Sequence, residues 1–379
     1  MSAGPTHHVY LIPGLFGFAR LGGYDYFEHL ERAIAERFAA AGLPLRMEIV
    51  ATPPTASISV RAGVVARTVS STLRDPDSPV HLVGHSTGGL DSRLLVSPGR
   101  NLDLSPEQLA WTRQVRTLIS VNAPHYGTPL AGYFTTVAGT RMLHALSLLT
   151  VASLTVGNLP LSAFSGLVAA VGAVDQAVRG ENRLLEQLTD RLMAIIGEQG
   201  RDEIRVYMDH VRDDRGGIIQ LMPEVMELFN AAVDDNPDVR YGCVATAAPP
   251  PRKRRVLRAI VSPISALGLA VYTTVHGVSS YDDPRYPYAN PTAQQRRLLH
   301  LGLGREVSPG TVDGIVPTLS MLWGELLWCG AADHLDVVGH FRDGGLPRTH
   351  SDWLGSGAGF DRRDFGAMVD AITGFMLRP

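Results

Sequence analysis

A chain of 379 residues, 45 % hydrophobic and 19 % charged, can bury one large core with an insertion or two ordinary domains, and it is too apolar for general disorder. A formal net charge of −3 argues against a nucleic-acid surface, which needs clustered positive charge. The one basic run, Arg252-Lys253-Arg254-Arg255 after Pro249-Pro250-Pro251, reads as a solvated loop, and the two cysteines, Cys243 and Cys329, are too few for a disulfide framework.

The start of the chain, Met-Ser-Ala-Gly-Pro-Thr-His-His, carries no charged and apolar leader pattern, so a cytoplasmic protein is expected unless an export segment precedes it. Val9-Tyr10-Leu11-Ile12, ended by Pro13-Gly14, reads as a buried strand running into a loop. Apolar residues at helical spacing from Tyr26 to Ala41 end at Gly42-Leu43-Pro44, a helix stop. Arg46–Val50 reads as a second strand, Ser59–Leu73 as a helix, Val80–Val83 as a third strand, Gly88–Leu95 as a helix and Val115–Val121 as a strand. Strands alternating with helices imply a mostly parallel sheet covered on both faces.

From Gly132 the character changes: Arg141 is the one charged residue between Leu130 and Asp175. Met142–Gly157 carries no charge but falls short of the roughly 20 residues that a membrane span needs. It reads as a helix of a cap or of the core, and no transmembrane anchor is expected. Leu184–Val211 looks like a charged, solvent-facing helix, strand character returns at Val239–Val244, and Arg363–Leu377 has helical periodicity. The expected organisation is a core in two parts, 1–130 and 239–379, with a helical cap at 131–238. The two cysteines both fall in the second core part, either as one bridge or as two free thiols.

The chemistry-bearing motif is Gly84-His85-Ser86-Thr87-Gly88, placed between an expected strand and an expected helix. A nucleophile on so sharp a turn needs small residues two positions before and after, because strand and helix nearly touch there. A serine hydroxyl also needs a base and an orienting carboxylate. Asp313, in Val312-Asp313-Gly314, and His334, in Asp333-His334-Leu335-Asp336, follow the serine in the order acid then histidine, although His276, His300, His340 and His350 satisfy order equally. An oxyanion needs two backbone N–H donors. Thr87, at the helix start, and Leu15, in Pro13-Gly14-Leu15-Phe16-Gly17, are the candidates.

These segments together resemble the bacterial true lipases, the family that includes the Pseudomonas, Burkholderia and thermophilic Bacillus-type enzymes. The resemblance is carried by Tyr10–Gly17, Thr52-Pro53-Pro54-Thr55, Val83–Arg93, Ala123–Thr128, Gln220-Leu221-Met222 with Phe229-Asn230-Ala231, and Asp313–Val316 with His334–Gly339. It implies the α/β-hydrolase fold with a cap or lid, and hydrolysis of lipid-like esters by Ser86, His334 and Asp313, with a lipid–water interface as a partner. The same machinery would serve a polyester or polyhydroxyalkanoate depolymerase, or an acyltransferase. It also implies a structural calcium held in part by Asp336, two residues after the histidine; no cofactor is required for the chemistry. The sequence departs from the pattern at Pro13, where the family has histidine, and at Thr87, where glutamine is commoner. It departs also at Phe341, where the Bacillus-type enzymes have a second calcium carboxylate, leaving Asp343, Asp282 and Asp283 as substitutes, and the zinc site of those enzymes has no counterpart.

Overall fold

The computed structural model describes residues 4–21, 24–136, 138–140, 142–143, 146–147, 198–251, 263–284, 286, 288–341 and 354–378. Its strands are β1 His7–Ile12, β2 Arg20–Leu21, β3 Tyr24–Asp25, β4 Leu45–Ile49, β5 Val80–His85, β6 Val115–Val121, β7 Arg240–Ala247 and β8 Glu325–Ala331. The helices are α1 Glu28–Ala40, α2 Ile58–Thr72, α3 Thr87–Val96, α4 Pro106–Leu109, α5 Pro129–Phe134, α6 Glu198–Asp213, α7 Gly216–Gln220, α8 Pro223–Ala232, α9 Pro263–Ser279, α10 Ala293–Leu303 and α11 Arg362–Met376.

Six of the strands form one sheet in the order β4-β1-β5-β6-β7-β8, with every neighbouring pair parallel. Parallel pairing demands crossovers, and the helices that supply them cover both faces. Strand alternation then sorts the core into two layers. Val9 and Leu11 of β1, Val83 of β5 and Ile119 of β6 pack toward α1 and α11, against Leu30, Ile34, Phe38, Met368 and Ile372. Tyr10, Ile12, Leu82 and Leu118 point the other way, toward Val65 and Val69 of α2 and Leu95 of α3. Each fully buried aliphatic side chain contributes about 1.5–3 kcal/mol, so these layers carry most of the fold's stability.

Strand order reverses around β1: the chain crosses first to β4 on one side, then returns to β5 on the other. The loops after β1 and β5 therefore leave the sheet in opposite directions and open a crevice at its carboxyl edge, where sheets of this kind bind ligands. The loop after β1 carries Leu15 and the turn after β5 carries Ser86.

β6 and β7 are sheet neighbours, and residues 122–239 run between them. Within that insertion α6 is amphipathic: Ile204, Tyr207 and Val211 are buried, so the helix expected to face solvent lays one side on the core. Residues 184–197 lie outside the described residues, as do the basic run at 252–255 and most of 142–157. Cys243 and Cys329 are free thiols on adjacent strands, the first buried and the second partly so. Among the described residues no helix is long and apolar enough to cross a membrane.

Candidate active site

The turn after β5 holds Ser86 at φ 53° and ψ −127°, a backbone conformation that non-glycine residues avoid at a cost of about 1–3 kcal/mol. Two backbone bonds hold it there: Ser86 N donates to Val121 O at 2.8 Å, and Gly89 N donates to Ser86 O at 3.0 Å. The small residues of the motif are required by contact. A Cβ on Gly84 would lie 2.3 Å from the Gly88 carbonyl carbon, and one on Gly88 would lie 2.2 Å from Ile12 O. A Cβ on Gly14 would meet Ser86 Cβ at 2.5 Å, so the loop after β1 passes directly over the serine.

Asp313 and His334 come together, as their order along the chain suggests: His334 Nδ1 lies 2.6 Å from Asp313 Oδ2. Asp313 is fully buried, and Ile315 N and Val316 N each donate to its Oδ1 at 2.8 Å. Asn122 Nδ2 donates to Oδ2 at 3.0 Å. An acid met only by donors accepts the His334 Nδ1–H, which leaves Nε2 as the basic nitrogen. Among the described residues no hydrogen bond joins Ser86 Oγ to His334 Nε2; the two side chains line one cavity. The rival histidines go elsewhere: His340 Nε2 donates to Tyr26 O at 3.2 Å, His300 sits on the exposed side of α10, and His350 is outside the described residues. His276 is largely buried on α9, where burial lowers its pKa.

Several residues of this site carried no sequence signal. Asn122 stands at φ 49°, one residue beyond β6, and also donates to Thr246 Oγ1 at 2.7 Å. Its place at a carboxyl strand end, next to the strand that leads into Ser86, is the cue that would have found it. His85 is buried beside the serine, its ring centroid 4.7 Å from that of His334. His85 Nε2 lies 2.8 Å from the His334 carbonyl oxygen, which can only accept, so Nε2 carries the proton and Nδ1 accepts from Tyr26 OH at 2.9 Å. Burial and the neighbouring His334 both hold the His85 pKa well below its usual value, which favours the neutral ring. Tyr26 OH, itself buried, has its pKa raised by desolvation and serves as a donor.

The oxyanion candidates flank the serine. Thr87 is the first residue of α3, where N–H groups have no intrahelical partner and the helix dipole favours negative charge. Leu15 lies in the tight turn Gly14–Gly17, closed by Gly17 N donating to Gly14 O at 3.2 Å, and lines the same cavity as Ser86. A buried ion pair anchors the base of this loop. Arg61, fully buried on α2, meets Asp91 of α3 at 2.9 Å and also donates to Pro53 O at 2.7 Å and to Pro13 O. Burial lifts the Asp91 carboxyl to about 6 against the opposing pull of Arg61.

The cavity that Ser86 and His334 share has an interior volume of about 110 Å³. Apart from Ser86, His334, Thr128 and the Tyr26 hydroxyl, its walls are apolar, with Leu130, Phe134, Leu146, Ile218 and Leu221 on the insertion's side and Ile315, Leu335 and Leu354 on the other. Such a wall receives hydrocarbon, and its few polar groups gather at the serine.

Asp336 is buried beside the histidine, with Oδ2 accepting from Asp333 N at 2.8 Å. Asp333 Oδ1 in turn accepts from Leu335 N at 3.0 Å and Asp336 N at 3.1 Å, and Oδ2 accepts from Ser356 Oγ at 2.6 Å. These carboxylates fasten the His334 loop. Among the described residues no group of three or more His, Cys, Asp or Glu is arranged to hold a metal ion, and Asp343 lies outside them.

No family model matches the chain. A triacylglycerol lipase from Pseudomonas fragi is 28 % identical over 131 residues, 34 % of this chain and 39 % of that protein, so the match spans well under half of either. Among solved structures, lipase 1 from Pelosinus fermentans aligns with a TM-score of 0.51 and 16 % identity over 93 % of this chain and 97 % of that one. EstA from Clostridium botulinum aligns at 0.48 and 17 % identity, over 94 % and 87 % of the two chains. The Staphylococcus hyicus lipase aligns at 0.47 and 14 % identity, over 98 % and 97 %. The chain has the α/β-hydrolase fold, and bacterial lipases are among the proteins it is similar to.

Proposed function

We propose that this protein hydrolyses carboxylic esters with apolar acyl chains, by a two-step reaction through an acyl-enzyme on Ser86. The observation that carries this reading is the opening of one apolar cavity onto both a strained serine and the His334 that is paired with Asp313 at 2.6 Å. In the first step Ser86 Oγ attacks the ester carbonyl carbon as His334 Nε2 takes its proton. The oxygen that gains negative charge is received by the N–H groups of Leu15 and Thr87, and loss of one such donor costs about 2.7–4 kcal/mol of transition-state stabilisation. His334 then protonates the leaving alcohol, activates a water by the same nitrogen and returns the proton to Ser86 as the acid departs. Asp313 holds the ring in the tautomer that this sequence requires.

Hydrolysis of lipid-like esters is favoured over short polar ones by the cavity's walls, where each buried methylene contributes about 0.8 kcal/mol of binding. Two measurements test the reading. Ser86→Ala is expected to abolish p-nitrophenyl ester hydrolysis while the far-ultraviolet circular dichroism persists; undiminished turnover sinks the assignment. A series from acetate through octanoate to long-chain esters and emulsified triglyceride should show kcat/KM rising from the acetate, and a series that is best at acetate would remove the lipid-like substrate.

A further inference from the structure

The turn that offers Leu15 contains a strained residue that is not glycine. In Gly14-Leu15-Phe16-Gly17, closed between Gly17 N and Gly14 O, Phe16 occupies the third position at φ 59°. That position in a turn of this geometry asks for glycine or asparagine, and a bulky side chain resists it. A residue so placed persists only where its surroundings fix it. Phe16 N donates to Pro54 O at 2.9 Å, which fastens one side of the residue to the core. Its other side is fastened from the insertion: Tyr207 OH donates to Phe16 O at 2.9 Å.

Tyr207 is placed to do this firmly. It lies on the buried stripe of α6 with Ile204 and Val211, is 5 % exposed, and meets the Phe18 ring edge-on at 6.4 Å between centroids. Its hydroxyl, with Ser147 as a second neighbour, is kept protonated by desolvation and is therefore a donor to the carbonyl. α7 supports the same turn from behind: Gly217 N donates to Thr55 O at 3.0 Å, and a Cβ on Gly217 would meet Leu15 Cδ2 at 3.0 Å. Without the Tyr207 bond, Phe16 would relax toward negative φ, which shifts the Gly14–Gly17 turn and with it the position of the Leu15 N–H.

We propose that Tyr207 is a positioning residue of the oxyanion site, holding Phe16 in its strained conformation so that the Leu15 N–H faces the oxygen bound at Ser86. The proposal rests on the ester-hydrolase reading above, and it makes the insertion part of the catalytic arrangement as well as a wall of the cavity. It separates two contributions that ordinary mutagenesis confuses, because the hydroxyl matters only as long as residue 16 resists its own conformation.

The test is a double-mutant cycle on kcat and KM for a soluble p-nitrophenyl ester, with Ser86→Ala as the baseline. Tyr207→Phe, which keeps the ring and its packing, is expected to lower kcat about tenfold, with KM changed less than about twofold and an unshifted thermal midpoint. In a Phe16→Gly background, where positive φ carries no penalty, the same Tyr207→Phe change is expected to lower kcat less than about twofold. Phe16→Asn provides a second background should the glycine chain fold poorly, since asparagine tolerates the left-handed region. Equal losses of kcat in the strained and relieved backgrounds overturn the proposal, as does an unchanged kcat in Tyr207→Phe alone or a loss confined to KM. Turnover in Ser86→Ala would instead overturn the reading beneath it, so the two failures are distinguishable.

Discussion

At the scale of single residues, the site depends as much on its supports as on its reacting atoms. Asp313 orients His334 only while its own oxygens are held, and Asn122 is the side chain that donates to Oδ2, the oxygen that also meets the histidine. A hydrogen bond to a charged acceptor contributes about 1.5–3 kcal/mol, so Asn122→Ala is expected to lower kcat by roughly ten- to a hundredfold, because the carboxylate then turns within its pocket. KM should change little, since Asn122 is fully buried and does not line the cavity. Steady-state kinetics on the purified variant decide the matter, and a kcat equal to the parent's would show that the two backbone donors at Ile315 and Val316 suffice. His85 is a support of a different kind. It occupies the variable position of the motif, yet its neutral ring bridges Tyr26 OH and the His334 carbonyl, and so ties the histidine loop to the start of the first long helix.

At the scale of elements, α2 and α3 are joined by an ion pair from which both side chains are excluded from water, Arg61 with Asp91. Arg61 also donates to Pro13 O and Pro53 O, so the pair sets where the loop after β1 lies relative to the serine. Removing one partner of a buried pair leaves an uncompensated charge, and Arg61→Met is expected to cost about 3–5 kcal/mol in a urea titration. Adding Asp91→Leu should recover most of that stability, since a well-packed apolar pair often matches a buried ionic one. Activity should not return with stability, because Pro13 O and Pro53 O still lack their donor; recovery of full kcat in the double variant would show that the loop needs no such anchor. The same elements show what the sequence made legible. Buried strands with apolar runs were readable to within two or three residues, as in Val9–Ile12 of β1, because parallel strands covered on both faces tend toward continuous apolar runs. β8, with exposed Glu325 at one end of an edge strand, and α9 and α10 gave weaker patterns and went unread. Ser86, Asp313 and His334 could be proposed from local motifs, whereas Arg61, Asn122 and Tyr207 act across long separations in the chain, and no spacing rule connects them to the residues they hold.

At the scale of the whole molecule, the pattern of buried histidines decides how the fold responds to acid. Burial lowers the pKa of His81 to about 3, with His7, Arg240 and Arg116 adding to the effect. His85 and His125 are held well below 6.5, by burial first and then by His334 and Arg93 respectively. His7, His8, His29 and His276 are lowered in the same direction. A histidine that is neutral when folded takes up a proton on unfolding, so its contribution is complete above the unfolded value near 6.5 and is lost as pH falls toward the folded value. Asp91 works oppositely: with its pKa raised from 3.8 to about 6, the folded state binds a proton in that window that the unfolded state does not. The Asp91 proton opposes those of the several buried histidines, so unfolding below about pH 6 takes up protons on balance and stability falls as pH falls. Urea titrations at pH 7, 6 and 5 should therefore show the unfolding free energy falling over both steps, and more steeply over the second, where the unfolded histidines are almost wholly protonated. Equal stability at pH 6 and pH 5 would mean that these histidines are charged or hydrated in the folded protein. Because His85 touches the His334 carbonyl, the same titration bears on the candidate site: once acid opens the fold around it, His334 loses its backbone anchor along with its neutral neighbour.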